Sequence, residues 1–325
     1  MYYFGAGRRA DDVPDLPRSR SAAQRDPAGY IADAGLVDAV NVALLLGQPL
    51  LVTGEPGTGK TELAYSVGWE LGLDVPLIFE TKSSSTARDL FYTYDTLGRF
   101  HAAQIKEGSQ NGLDYVTYNA LGLAILRANQ RATVQDWLPA TMAHDGPRRS
   151  VVLIDEIDKA PRDFPNDLLN EIEGMFFRIP ELGSPVIKAD ESMRPVVIIT
   201  SNSEKHLPDA FLRRCAYYDI PFPARSRLTR IVEARLGTFN GSLLPGLSEA
   251  LDLFDKLRDK SSGLRKRPAT AELLGWLSSM RQRGVDLRQP LRPALDQVSA
   301  TISALVKSAE DQQAARTIVT EWSRG

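Results

Sequence analysis

Eight consecutive residues, 54–61, read Gly-Glu-Pro-Gly-Thr-Gly-Lys-Thr, and no other stretch of the 325-residue chain restricts its fold so tightly. The three glycines let the backbone turn its N–H groups inward along a path that side chains would block. Residues 49–53, just before the run, are short and apolar, as in a buried strand. Residues 62–73, just after it, have helix-forming composition, with Leu63, Val67 and Leu71 four apart. Strand, glycine loop and helix in that order make a cradle for a phosphate chain. Lys60 is placed to reach β- and γ-phosphates and the Thr61 hydroxyl to ligate magnesium, while the helix N-terminus adds a favourable dipole. Gly54, Glu55, Pro56, Gly57, Thr58, Gly59, Lys60, Thr61 and Glu62 are the expected nucleotide contacts.

Residues 151–154 are four aliphatics followed at once by Asp155 and Glu156, two acids at the carboxyl end of a buried strand. Open α/β sheets place their chemistry there. Strand alternation sends the two side chains to opposite faces, so Asp155 is expected in a magnesium shell and Glu156 beside the attacking water. A further aliphatic strand, 195–200, ends in Ser201 and Asn202, and the Asn202 amide is placed to orient that water from the other side. After a short helical turn in 207–215 come adjacent Arg213 and Arg214, and 217–222 reads as a fifth strand. Residues 75–80 supply the remaining strand.

The stretch 86–149 is longer than a strand-to-strand crossover needs, so it is read as an insertion or a pore-facing loop. Helices are expected near 120–129 and 134–142, the aromatic piece 91–94 has no assigned element, and 175–193 is expected to form a hairpin. Upstream, 30–46 reads as a largely buried helix closed by Gly47. From 224 onward the pattern is helical without strands, over 225–236, 247–260, 269–283 and 293–322. The expected organisation is therefore an extended arm (1–28), an α/β core (29–223) and an all-helical lobe (224–325). Arg265, Lys266 and Arg267 stand just before one of the lobe's helices, in a cluster that suits either a solvated face or a reach back to a nucleotide.

A formal net charge of −2 gives no global pull toward nucleic acid or anionic membranes. One cysteine, Cys215, rules out an internal disulfide framework, and His101, His144 and His206 show no metal-ligand spacing. The first twelve residues lack the apolar core of a secretion signal, and no segment approaches the ~20 apolar residues of a membrane span. A cytoplasmic location without membrane insertion is expected.

Taken in order, the loop at 54–61, the Asp155–Glu156 pair, Asn202, Arg213–Arg214 and the helical C-terminal region resemble an AAA+ ATPase. More narrowly the chain resembles the MoxR-like branch, through 54–61, through Leu-Ile-Asp-Glu-Ile-Asp-Lys-Ala at 153–160, and through Thr-Ser-Asn-Ser-Glu-Lys-His-Leu-Pro-Asp-Ala-Phe-Leu-Arg-Arg at 200–214. The resemblance implies a P-loop core, a parallel five-stranded sheet flanked by helices, with a C-terminal helical lid. It implies ATP and Mg2+ as cofactors, Lys60 and Thr61 serving phosphates and metal, Asp155 the metal, Glu156 the water and Asn202 a sensor role near the γ-phosphate. It also implies an arginine finger lent by the adjacent subunit, Arg214 fitting best by its offset from Asn202 and Arg213 second. A second-sensor arginine within Ser-Pro-Arg, frequent in MoxR-like proteins, is replaced here by Arg265-Lys266-Arg267-Pro268-Ala269, where Arg265 or Arg267 would have to substitute.

The function that the resemblance implies is that of an ATP-hydrolysing ring, commonly a hexamer, that remodels or matures a partner protein in chaperone fashion. The partner would bear a von Willebrand factor A domain. The segment 202–214 also resembles GTP-using, restriction-type AAA+ proteins, so a DNA-translocating motor stands as an alternative, against which count the near-neutral charge and the lack of a nucleic-acid module. A nucleotide-gated scaffold is the other alternative.

Overall fold

The computed structural model describes residues 26–105, 111–204, 207–237 and 244–324; the expected arm over 1–28 lies, but for its last three residues, outside them. Chain contacts divide the protein into two compact units. One holds residues 32–54 and 60–221. The other holds the described residues up to Ile31, the loop residues Glu55–Gly59, and the chain from Phe222 onward.

The first unit is built on a parallel five-stranded sheet. Its strands are β1 (Leu50–Gly54), β2 (Leu77–Glu80), β5 (Val151–Asp155), β8 (Val196–Thr200) and β9 (Ala216–Ile220), in the order β2-β5-β8-β1-β9. All four pairings are parallel, with Leu50 opposite Ile198 and Ala216, and Leu153 opposite Ile78 and Ile198. The runs Leu50-Leu51-Val52 and Val151-Val152-Leu153-Ile154 are buried throughout, as strands covered on both faces must be. Helix α1 (Ala34–Leu46) starts at Asp33, whose carboxylate accepts from Leu36 N at 2.8 Å, and stops at Gly47 in the left-handed region. The sequence suggests a largely buried helix; only Leu36 and Ala43 are buried, and Leu45 is 85 % exposed. One face rests against β9, and Leu45 and Leu46 on the other stay open to solvent.

Helix α2 (Lys60–Glu70) follows the glycine loop. The long segment after β2 folds as an antiparallel ribbon, β3 (Tyr92–Tyr94) with β4 (Val116–Tyr118), around α3 (Thr96–Ile105), and continues into α4 (Ala120–Arg127). The aromatic piece thus becomes a strand. Phe91 stacks on Phe177 at 5.5 Å, and Tyr118 meets the same ring edge-on at 6.0 Å. Gly122 allows the approach of α4, since a Cβ there would lie 2.0 Å from the Phe91 carbonyl oxygen. Phe177 belongs to the hairpin β6 (Phe176–Arg178) and β7 (Val186–Lys188), where a hairpin is expected, and the short helix α5 (Leu169–Gly174) leads into it. The helix expected over 134–142 does not form: an α-turn ends at Val134, a 3-10 turn covers Gln135–Trp137, and Pro139 brings no N–H to continue it.

The second unit is helical, with α6 (Arg225–Leu236), α7 (Pro245–Arg258), α8 (Thr270–Gln282), α9 (Leu295–Thr301) and α10 (Ala309–Arg324). Its core is Leu228, Val232, Leu251, Phe254, Leu273, Trp276, Leu277, Val298 and Trp322. Trp276 satisfies its indole N–H on the Thr301 hydroxyl at 3.0 Å. The single helix expected over 293–322 is two. Ser308 starts the second by accepting from Asp311 N at 3.1 Å, a cap that breaks the run.

Candidate nucleotide site

In a parallel sheet the carboxyl ends of the strands lie at one edge, and β1, β5 and β8 bring Gly54, Asp155 and Thr200 there together. The glycine loop leaves β1 and enters α2 with Gly57 at φ 78° and Gly59 at φ 92°, a region that only glycine takes without strain. Thr58 ties the loop by donating its hydroxyl to the Glu55 carbonyl at 2.8 Å.

Lys60 is buried, with its ammonium donating to the Gly54 carbonyl at 2.8 Å and to Asn202 Oδ1 at 3.1 Å. Burial lowers its pKa from the ordinary lysine value, and the carboxylates of Asp158, Asp155, Glu156 and Asp219 oppose that shift. A cation held back by desolvation among acids gains most from an incoming polyanion. Next to it, the Thr61 hydroxyl meets both Asp155 oxygens, at 3.1 and 3.2 Å. Hydroxyl plus carboxylate is a hard all-oxygen pair, the donor type that suits magnesium, which keeps waters and phosphate oxygens for its remaining positions.

The two acids separate for a different reason than strand alternation. The strand ends at Asp155, and Glu156 turns into the left-handed region at φ 55°, ψ 52°. That conformation is strained for glutamate. It is held by Thr200, whose hydroxyl donates to Asp155 Oδ1 at 2.5 Å and accepts from Glu156 N at 2.9 Å. The Glu156 carboxylate pairs with Lys159. Asn202 is held in turn by Asp158, which accepts from Asn202 N at 3.1 Å, from Asn202 Nδ2 at 3.4 Å and from the Ser201 hydroxyl at 3.1 Å. Neither Thr200 nor Asp158 stands out in the sequence as a site residue; a hydroxyl ending an aliphatic strand is the one signal that points to the first.

The predicted residues thus fall into two hydrogen-bonded sets that meet where Lys60 and Thr61 are neighbours in the chain: Lys60 with Asn202, and Thr61 with Asp155 and, through Thr200, the Glu156 N–H. Arg213 and Arg214 are not among them. They precede β9 and so stand at the amino end of the sheet, where Arg214 Nε pairs with Glu173 at 2.9 Å, its NH1 donates to the Ala210 carbonyl at 3.1 Å, and Arg213 is exposed. In the helical unit Arg265 pairs with Glu310 at 2.8 Å and Arg267 is exposed, on a backbone that the buried Asp311 holds by accepting from Arg265 N and Lys266 N. Among the described residues no helix is long and apolar enough to cross a membrane.

The chain is 35% identical over 91 residues to RuvB-like 2 of Caenorhabditis elegans, covering 27% of this chain and 19% of that protein. It is 33% identical over 66 residues to RuvB-like helicase 1 of Gibberella zeae, covering 18% and 14%. The match thus spans a fifth or less of the length of these curated relatives. A solved structure of a Thermotoga maritima RuvB mutant covers 89% of this chain and 74% of its own at 17% identity, with a TM-score of 0.47. Residues 50–222, from β1 through the end of the sheet, match the model of the ATPase family associated with various cellular activities. The chain belongs to that family, known as AAA, and is an ATP hydrolase.

Proposed function

We propose that this ATPase binds MgATP on the loop at 54–61 and cleaves it with an arginine from a second copy of the chain, as a ring-forming motor. The observation that carries the reading is the convergence of Lys60, Thr61, Asp155 and Asn202 at the carboxyl edge of the sheet. Backbone N–H groups of the loop and Lys60 hold the phosphates; Thr61 and Asp155 hold the metal. Magnesium, when bound, neutralises charge that develops between the β- and γ-phosphates. Glu156 accepts a proton from the attacking water, and Asn202, steadied by Asp158, orients it. Arg214, or Arg213 beside it, stands a five-residue strand away from this edge, a span of ~17 Å. Such a residue serves a neighbouring copy's triphosphate more readily than its own, which supports assembly as a ring, commonly hexameric in AAA+ proteins. Arg265 and Arg267 are the further candidates to contact nucleotide from the helical unit.

For the substrate of the motor, the names of the curated relatives, one of them a helicase, favour translocation on DNA. The MoxR-like wording of 153–160 and 200–214 favours the second reading, remodelling of a partner protein such as one bearing a von Willebrand factor A domain. Steady-state turnover of ATP and GTP, with and without duplex DNA at low salt, separates them. DNA-stimulated turnover supports the first; turnover indifferent to DNA at every salt concentration rules it out and leaves the second.

A further inference from the structure

Arg258, the last residue of α7, is a cation whose side chain is only 12 % exposed. A guanidinium is withdrawn from water at a cost unless it is paired and hydrogen-bonded, and Arg258 is satisfied on three sides, all within the helical unit. Its NH2 meets Glu55 Oε2 at 2.9 Å, its NH1 donates to the Pro268 carbonyl at 2.6 Å, and its plane lies over the Phe222 ring, 3.3 Å from the centroid. Glu55 is the second residue of the glycine loop, and residues 55–59 belong to this unit. A Cβ on Gly57 would come within 2.9 Å of the Ala269 Cβ and 3.4 Å of the Ala271 Cβ, so the loop backbone lies directly on the start of α8. Arg258 grips both sides of that contact: Glu55 is two residues before Gly57, and Pro268 is one residue before Ala269.

We propose that Arg258 is a positioning residue for nucleotide binding, holding the Gly57 backbone in its phosphate-accepting course through Glu55. The proposal rests on the reading of 54–61 as the nucleotide loop. Charge alone gives the opposite expectation for one partner, because a carboxylate in a phosphate loop repels phosphate. Replacing Glu55 by glutamine would then tighten binding, whereas loss of the grip loosens it.

The test uses the full chain, with ADP titrated calorimetrically so that no hydrolysis is needed. Glu55→Gln is expected to weaken ADP binding by about fivefold, Arg258→Lys by a similar factor because lysine lacks the fork and the stacking plane, and the two together no more than either alone. Melting of the nucleotide-free protein separates binding from stability, and Glu55, half exposed, keeps the test open if Arg258→Lys fails to fold. Equal or tighter ADP binding by Glu55→Gln, or additive losses in the double variant, overturns the proposal while leaving the loop reading intact. If the parent binds no ADP, both fall.

Discussion

The two ends of the sheet carry charged residues in very different settings. At the carboxyl end Lys60, Thr61, Asp155, Thr200, Asn202 and Asp158 satisfy one another, each side chain fixed by at least one short bond from a neighbouring strand or helix. At the amino end, a groove of about 670 Å³ lined by Leu45, Gly47, Arg194, Phe211, Arg213 and Arg214 leaves Arg213 exposed. There Arg214 pairs with Glu173, and both partners are partly in water. The support beneath that pair is firm. Arg194 donates to the Gly47 carbonyl at 3.0 Å and the Glu173 carbonyl at 2.8 Å, capping the ends of two helices, α1 and α5, with one guanidinium. At the carboxyl end the side chains expected to serve phosphate and metal lie together in one chain; at the amino end Arg214 stands apart from them, beside the support that Arg194 gives.

The largest effect expected from that contrast is in Arg214→Ala. It should lower ATP turnover by ~10³ to 10⁵ while nucleotide affinity stays near the parent's. Turnover should partly return when the variant is mixed with Lys60→Ala chains, each supplying the end the other lacks. Loss of nucleotide affinity in Arg214→Ala would place the arginine at its own chain's site and end the contrast. Arg213→Ala, measured alongside, reports which guanidinium is used.

Glu156→Gln comes next. The amide keeps the shape and the Thr200 contact, which is made by the backbone N–H, but it cannot take a proton. Turnover should fall by ~10² to 10⁴ with ATP still bound, as read by single-turnover and filter-binding measurements. An active Glu156→Gln enzyme would transfer the base role elsewhere.

A smaller effect tests how the carboxyl end is held. Thr200 is fully buried, and Thr200→Val, nearly the same shape, leaves the Glu156 N–H without its acceptor. An orphaned donor costs about 1–3 kcal/mol when buried, and Glu156 is half-buried, so a loss of about 1 kcal/mol is expected, to be seen as a lower denaturant midpoint together with reduced turnover. A variant as stable as the parent would mean that the left-handed turn at Glu156 is held by other contacts.

How much of this is legible in the sequence depends on how far apart the cooperating residues lie along the chain. The loop and its helix are contiguous, and Asp155 follows four buried aliphatics, so local pattern alone identifies them. The part played by Thr200 exists only because β5 and β8 pair in parallel with Ile154 opposite Ile199, a register no local pattern encodes. Asp158 is hidden for the same reason, since its partner Asn202 comes from another strand's end. The ribbon in 92–118 is hidden because strands of three residues are shorter than any reliable alternation. Helix ends depend on single capping side chains such as Ser308, and the exposure of α1 on which of its faces β9 covers.

The last test concerns the chain's one cysteine, which follows Arg214 at the amino end. Burial pushes the Cys215 thiol up to about 12, and the reactive species is the thiolate. Below that value the group stays protonated, so alkylation is slow through neutral and mildly alkaline pH and keeps rising with pH where an ordinary cysteine levels off near ~8.5. At pH 8 the folded chain should react with iodoacetamide at least about tenfold more slowly than the urea-unfolded chain, whose thiol carries the larger thiolate fraction. With a single cysteine, mass spectrometry reads the modification without ambiguity. A plateau near pH 8.5 in the folded protein would mean that the groove admits water down to the start of β9, and that the base beneath Arg214 is looser than its hydrogen bonds indicate.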